Sequence, residues 1–351
     1  MEYRFVGTSG VRVSTLALGT MGFGSVGSPV GSLDAEGARA QVSMALDAGV
    51  NLFDTADTYQ SGQAEQLLGV ALGGHRDDVL VSTKVHARVG TGPNEVGQSR
   101  WHILQACDAS LRRLGTDRID IYHVHGFDAC TPLEESLGAL DQLVRDGKVR
   151  YLACSNLAAW QIAKALGVSE RRGLQRYSAL QAYYSLVARE LEWDLLPVCT
   201  SEGLGVFVWS PLAGGLLTDR GDPEGAVDGT RRAAVGDLGI GPLDAPLARA
   251  VLAEARAIAA ARGVSTAQVA LNWTRAREGV TSVIVGARTT AQLADNLAAG
   301  TWDLDPGELA RLDAASARPL PYPHWYQRQF TAERSSRAGA PPTAYRYPTT
   351  G

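Results

Sequence analysis

No stretch of this 351-residue sequence approaches the roughly 18 uninterrupted apolar residues that a membrane span requires, so a membrane-embedded role is not expected. Met1 to Val13 lacks the basic-then-apolar pattern of a signal segment, which makes a cytoplasmic location the expectation. Cysteine is sparse: Cys107, Cys130, Cys154 and Cys199 are widely spaced, with no C-x-x-C and no Cys/His cluster at metal-ligand spacing. They are expected as buried free thiols, and no metal site is expected. A Lys/Arg-rich stripe is missing too, and 33 basic residues against 37 acidic ones give a net charge of −4. That removes the electrostatic footprint of phosphate-backbone binding, so nucleic acid is not an expected partner.

What the chain has is 45% hydrophobic residues in a regular arrangement. Short runs rich in Val, Ile and Leu recur, each followed by a longer segment of helical periodicity, the pattern of βαβ units and a parallel sheet. Eight strands are predicted: Thr15–Gly19, Val50–Asp54, Val79–Thr83, Ile119–Val124, Val149–Cys154, Ala179–Ala182, Gly205–Trp209 and Ser282–Val285. Between them, Ala35–Ala48 and Leu133–Arg145 carry apolar stripes at i, i+3/i+4 and i+7, as helices packed on a sheet do. Eight units in order predict an α/β fold of the (β/α)8 TIM barrel type. The glycines after the first strand, Gly19, Gly22 and Gly24, run G-x-x-G-x-G and not G-x-G-x-x-G, and no helix follows at once, which argues against a doubly wound dinucleotide fold.

The ends of the chain are read separately. Tyr3–Ser14 alternates around Gly7-Thr8-Ser9-Gly10 and is expected to form a β-hairpin closing one end of the barrel. The wide interval between the seventh and eighth strands must hold an insertion, and Thr218–Pro246, rich in Gly, Asp and Pro, is expected as a lid or binding loop within it. Leu304–Ala315 is a helix candidate, and Pro319, Pro321 and Pro323 forbid its continuation. Residues 1–316 are therefore assigned to the barrel. Residues 317–351 form a C-terminal extension that contributes to the substrate site and ends in a mobile tail, Thr331–Gly351.

Chemistry in such barrels sits at the C-terminal ends of the strands. The second predicted strand ends at Asp54, with Tyr59 in the loop beyond it, the third runs into Lys84 and the fourth into His125. Together these make a proton-donating group. A tyrosine with an ordinary pKa near 10 is a poor acid at neutrality, whereas a lysine ammonium close by favours the phenolate and eases proton release. A carboxylate holds that lysine charged, and a histidine can orient a carbonyl. Any one of the four is as well explained as a turn cap, a loop aromatic or a rim charge; all four in register at consecutive strand ends are not. Alternation puts His123 on the same side as His125, and Asp57 competes with Asp54, so spacing alone leaves both pairs open.

The chain resembles the aldo-keto reductases over roughly Tyr3 to Ala315. The resemblance rests on GVNLFDTADTYQSGQAEQLLGVAL (Gly49–Leu72), STK (Ser82–Lys84), LRRLGTDRIDIYHVH (Leu111–His125), GKVRYLACSN (Gly147–Asn156), WSPLAGGLLT (Trp209–Thr218) and VIVGARTTAQLADN (Val283–Asn296). It implies a catalytic tetrad of Asp54, Tyr59, Lys84 and His125, and so chooses Asp54 over Asp57 and His125 over His123. It implies reduction of an aldehyde or ketone by hydride from a nicotinamide with Tyr59 as proton donor. Relatives that reduce a carbon–carbon double bond commonly have Glu at the position of His125, so His125 implies carbonyl chemistry. The resemblance also implies that Ser155, Asn156 and Gln181 hold the nicotinamide carboxamide and that Trp209 stacks on its ring. Ser210, Leu212, Gly214 and Leu216 would then bring backbone to the pyrophosphate. Gly286 and Arg288 would lie at a helix start, with Arg288 on a 2′-phosphate and NADP(H) as cofactor, and Gln292 and Asn296 would hold the adenine end. Arg231 and Arg232 are candidates to clamp the pyrophosphate. Phe23, His86, Phe127, Trp325 and Tyr326 are candidate walls of a site for a small carbonyl compound, a sugar or secondary metabolite among the options. The alternative is a cofactor-binding regulatory subunit like the β subunits of potassium channels. The sequence does not announce an oligomeric state.

Overall fold

A computed structural model describes residues 1–25, 32–225 and 240–330. Eight parallel strands close into a barrel: β3 (Leu16–Gly19), β4 (Leu52–Asp54), β5 (Leu80–Val85), β6 (Ile119–Val124), β7 (Val149–Ser155), β8 (Tyr177–Tyr183), β9 (Gly205–Trp209) and β10 (Val280–Val285), with β10 pairing back onto β3. Every predicted strand is present, with ends moved by a few residues. Those shifts fall at strand starts and ends, where hydrogen bonding rather than apolar content decides the boundary.

Helices wrap the outside: α1 (Ala35–Asp47), α2 (Gln63–Leu72), α3 (Arg100–Leu114), α4 (Leu133–Arg145), α5 (Ala159–Arg172), α6 (Leu195–Glu202), α7 (Ala245–Arg262), α8 (Thr266–Arg275), α9 (Thr290–Ala298) and α10 (Pro306–Ala315). Their apolar stripes face the sheet, as α4 does with Leu137, Leu140 and Leu143 buried. Side-chain caps set several starts: Asp34 accepts from the Gly37 N–H at α1 and Thr289 from the Gln292 N–H at α9. The interval before β10 holds α7 and α8, while residues 226–239 of the glycine-rich loop, with Arg231 and Arg232, lie outside the described residues, as does the tail from Thr331. Helix α10 starts two residues later than expected, at a capping box of Asp305 and Glu308 with Pro306 in its first turn. A helical turn then resumes over 324–330, after the prolines instead of through them. Cys107, Cys154 and Cys199 are buried, but Cys130 is exposed, contrary to expectation: it follows the loop after β6, where its N–H donates to Asp128. Among the described residues no helix is long and apolar enough to cross a membrane.

The barrel interior has two ends of different character. At the N-terminal end Ala17, Leu52, Ile121, Ala153, Ala179, Phe207 and Ile284 form an apolar cluster, and the hairpin of β1 (Tyr3–Phe5) and β2 (Arg12–Ser14) caps it with Val6 and Val13. The hairpin is seated by the Thr8 N–H, which donates to the Gly203 carbonyl at 2.9 Å. Gly7, at φ +55°, makes this approach possible, because a Cβ there would lie 2.2 Å from the Gly203 oxygen. At the C-terminal end the inward positions become polar.

We expect Gly7→Ala to destabilise the fold by at least about 2 kcal/mol through left-handed strain and backbone collision. Gly10→Ala, whose Cβ meets nothing within 4 Å, should stay within about 0.5 kcal/mol of the parent. Urea unfolding of the two variants checks this, and equal stabilities would remove the hairpin's seating role.

Candidate active site

Register places the polar side chains on one inner layer. Asp54 pairs with Ser82 across β4 and β5, and Lys84 with His123 across β5 and β6. Because side chains alternate along a strand, Ser82 and Lys84 share a face, as do His123 and His125. Lys84 is fully buried and spends its three N–H donors on Asp54 Oδ2 at 2.6 Å, the Thr55 carbonyl at 2.7 Å and Tyr59 Oη at 3.4 Å. Its ammonium also lies 4.9 Å from the centre of the Tyr59 ring. Ser82 Oγ and Gln181 Nε2 both donate to Asp54 Oδ1 at 2.9 Å, completing the carboxylate's shell.

The electrostatics follow from this geometry. Burial works to raise the Asp54 pKa, but Lys84, His123 and the donated hydrogen bonds outweigh it and hold the carboxyl below its ordinary value. Burial likewise pulls on Lys84 in the direction of the neutral amine, and Asp54 above all reverses this, leaving the ammonium more firmly protonated than an exposed lysine. His125 is pushed down to about 3 by burial first and by the Lys84 charge second, so it is a neutral imidazole at physiological pH. His123 is also pushed to about 3, chiefly by burial.

The structure separates the pairs that spacing left open. The His125 ring meets the Tyr59 ring edge-on, centroids 5.9 Å apart, at the mouth of the barrel. His123 is fully buried one layer below, against Phe207 at 6.1 Å, with both ring nitrogens lacking side-chain partners. Asp54 takes Lys84, while Asp57 is buried with neither carboxylate oxygen hydrogen-bonded. Tyr59 reaches Lys84 because the chain turns sharply behind it: Gln60, Ser61 and Gly62 all have positive φ.

The remaining predicted residues follow the C-terminal ends of β7, β9 and β10. Ser155 ends β7 with its hydroxyl buried and unpartnered. Asn156, exposed and at φ +58°, donates through Nδ2 to the His125 carbonyl at 3.0 Å and accepts from Trp209 Nε1 at 3.1 Å. Trp209 stacks on Tyr183 at 4.9 Å and 24°. Beyond it Ser210 (φ +54°), half-buried Leu212, Gly214 (φ +67°) and buried Leu216 make a tight turn. After β10, Gly286 and exposed Arg288 lead into α9, where Gln292 Oε1 accepts from the Arg288 N–H at 3.0 Å and Asn296 Nδ2 donates to the Gly286 carbonyl at 3.3 Å. Phe23, expected as a wall, is buried in the core instead. Sequence reading missed Ser82 and Thr55 as partners of the ion pair. Ser82 had a signal, its position two residues before Lys84 on one strand face. The Thr55 contact is a backbone carbonyl, which no side-chain pattern reveals.

Comparison with known proteins gives the chain's relatives. A model of the Aldo/keto reductase family matches residues 15–317. An oxidoreductase of Bacillus subtilis, itself uncharacterized, is 37% identical over 324 residues, covering 89% of this chain and 95% of that one. A probable voltage-gated potassium channel subunit beta of Arabidopsis thaliana is 36% identical, covering 85% and 91%. The versiconal hemiacetal acetate reductase of Aspergillus parasiticus is 32% identical, covering 89% and 96%.

Asp57 yields a test of the electrostatics. Burial first, then the nearby Glu65 carboxylate, raises it from 3.8 to about 8. The unfolded chain thus releases this proton near pH 4 while the folded chain keeps it to about 8, so Asp57 makes stability fall as pH rises through that window. Asp57→Asn should flatten this part of the profile and stabilise the fold at pH 7.5, read as urea midpoints from pH 5 to 8.5. Parallel profiles for the two proteins would contradict the assignment.

Proposed function

The chain belongs to the aldo/keto reductase family, and on that premise we propose that it is a cytoplasmic NADPH-dependent reductase that converts an aldehyde or ketone to the alcohol, with Tyr59 as proton donor. The observation that carries this reading is the buried Lys84 ammonium held between Asp54 at 2.6 Å and Tyr59 Oη at 3.4 Å. Carbonyl reduction makes an alkoxide-like oxygen that needs a proton. A phenol gives one up efficiently only where the resulting phenolate is stabilised, and a cation on its oxygen does that.

The four residues divide the work. Tyr59 Oη donates its proton to the carbonyl oxygen, and Lys84 stabilises the phenolate left behind. Asp54 keeps Lys84 charged in a place where an unpaired ammonium would lose its proton. His125, neutral and edge-on to Tyr59, hydrogen-bonds the carbonyl oxygen and aims it at the phenol. Because it is not an imidazolium, it orients the substrate and does not compete as the acid.

The residues fit a nicotinamide dinucleotide. Ser155 offers a buried, unpartnered hydroxyl to the carboxamide, with Asn156 and the side-chain amide oxygen of Gln181, whose nitrogen is held by Asp54, as its neighbours, and Trp209 presents the ring face not taken by Tyr183. The backbone of Ser210, Leu212, Gly214 and Leu216 suits the pyrophosphate. Gly286 and Arg288 at the start of α9 suit a 2′-phosphate, which the helix N-terminus also favours, and Gln292 and Asn296 suit the adenine end. When bound, the nicotinamide supplies the hydride that reduces the carbonyl carbon.

We assign the barrel to residues 1–316 and a substrate-side wall to the extension from 317. Arg318 bonds Glu190 at 2.6 Å and the Val187 carbonyl at 3.0 Å, and His324 pairs with Asp194 at 3.4 Å, which tethers Trp325 and Tyr326 to the loop after β8. A second reading, a cofactor-binding regulatory subunit, draws on the Arabidopsis relative and differs from the first in turnover.

Loss of reduced-nicotinamide absorbance across a carbonyl panel tests the reading. Tyr59→Phe should lower kcat by at least about 100-fold with NADPH binding intact; unchanged turnover would refute the proton-donor role, and tight NADPH binding without turnover in the parent would favour the regulatory reading. Arg288→Ala should weaken NADPH binding by about 1.5–3 kcal/mol while barely affecting NADH. Equal weakening of both would remove the 2′-phosphate contact.

A further inference from the structure

Helix α1 buries a stripe of Ala38, Gln41, Val42 and Ala45. Three of these are apolar, as the i, i+3, i+4, i+7 spacing of an inward helix face requires. Gln41 breaks the pattern, a polar side chain with no solvent exposure. Its Nε2 donates to the Ala287 carbonyl at 3.0 Å, while its Oε1 is buried without a partner. Desolvating an amide oxygen and leaving it unpaired is unfavourable. Packing alone therefore does not explain Gln41, since an apolar residue of the same length would fill the place without that cost.

The acceptor lies between β10 and α9. Gly286, Ala287 and Arg288 belong to neither element, and side chains hold them in place. Asn296 Nδ2 donates to the Gly286 carbonyl at 3.3 Å, and Gln292 Oε1 accepts from the Arg288 N–H at 3.0 Å. Both come from α9, the helix into which the segment leads. Gln41 comes from α1, at the other end of the sequence, and ties the segment to a separate part of the barrel wall.

The Ala287 oxygen and the Arg288 N–H are two ends of one trans peptide group, and they point in opposite directions. Gln41 holds one end from the core side, and Gln292 holds the other from the exposed side. A peptide plane clamped on both sides cannot swing. That fixes ψ of Ala287 and φ of Arg288, and with them the direction in which the Arg288 side chain leaves the backbone.

We infer that Gln41 is a specificity-determining positioning residue: its clamp on the Ala287–Arg288 peptide aims Arg288 at a 2′-phosphate and so sets the preference for NADPH over NADH. This deepens the reading of Arg288 given above and rests on it. A guanidinium pairs strongly with phosphate only when its fork meets the oxygens, whereas NADH carries no group there to sense the aim.

With the full chain and no carbonyl compound present, calorimetric affinities for NADPH and NADH are compared. Gln41→Met keeps the length of the side chain and removes its amide. It should weaken NADPH about tenfold and NADH by less than about twofold, with a urea midpoint close to that of the parent. Added to Arg288→Ala, it should leave the NADPH-to-NADH ratio where Arg288→Ala alone puts it, a coupling that a merely structural role would not produce. Gln292→Met frees the other end of the peptide from the exposed side and should lower the ratio by a similar factor, because the adenine is common to both cofactors. It carries the test if Gln41→Met fails to fold.

Equal weakening of both cofactors by Gln41→Met, or a ratio it does not move, overturns the inference. So does an effect that survives in full beside Arg288→Ala, or, where Gln292→Met carries the test, a ratio unmoved by it. In each case a ratio still lowered by Arg288→Ala alone leaves the 2′-phosphate reading standing. A ratio unmoved by Arg288→Ala sinks that reading, and the role of Gln41 with it.

Discussion

The mouth of this barrel is organised around one buried charge pair, Lys84 with Asp54. Removing an ammonium and a carboxylate from water costs several kcal/mol for each ion, and their attraction offsets this only when geometry and further hydrogen bonds are in place. Here both conditions hold. Ser82 and Gln181 satisfy one carboxylate oxygen, Lys84 satisfies the other, and the Thr55 carbonyl takes a second ammonium proton. The third ammonium proton is then directed at Tyr59 by elimination. A lysine on one strand therefore dictates the registers of β4, β5 and β8, since a one-residue slip in any of them would turn a partner to the outer face.

The barrel was legible in the sequence because most strand positions are buried on both faces and so read as compact apolar runs, as in Gly205–Trp209 and Val280–Val285. The residues grouped at the mouth were legible for a related reason: Asp54, Lys84 and His125 interrupt such runs at their C-terminal ends. What the pattern could not separate were residues of like chemistry on one face. His123 and His125 differ only in depth, and Asp54 and Asp57 only in which of them meets the ammonium. Depth and pairing are properties of the closed barrel, not of the local chain. The exposure of Cys130 was misjudged because hydrophobic character reports local preference, whereas tertiary contacts decide where a surface segment lies.

A third layer of information is absent from composition altogether. Gln60, Ser61, Asn156, Ser210 and Ala213 all hold positive φ without being glycine. Each such residue costs of order 1–3 kcal/mol and persists only where its surroundings over-determine it. They fall just past the ends of β4, β7 and β9, where the chain must turn away from the barrel while leaving Tyr59, Asn156 and Trp209 facing inward. The strain is the local counterpart of the ion pair: both are unfavourable in isolation and are held by the closed sheet around them.

The hairpin that fills the opposite end has a bearing on traffic. Among the described residues, Val6 and Val13 set over an apolar floor stop the N-terminal end of the barrel like a plug. The fully buried Lys84 ammonium therefore meets its surroundings on the side of Tyr59 and the strand ends. Whatever fills that side of the barrel also sets how quickly this cation can trade a proton with water.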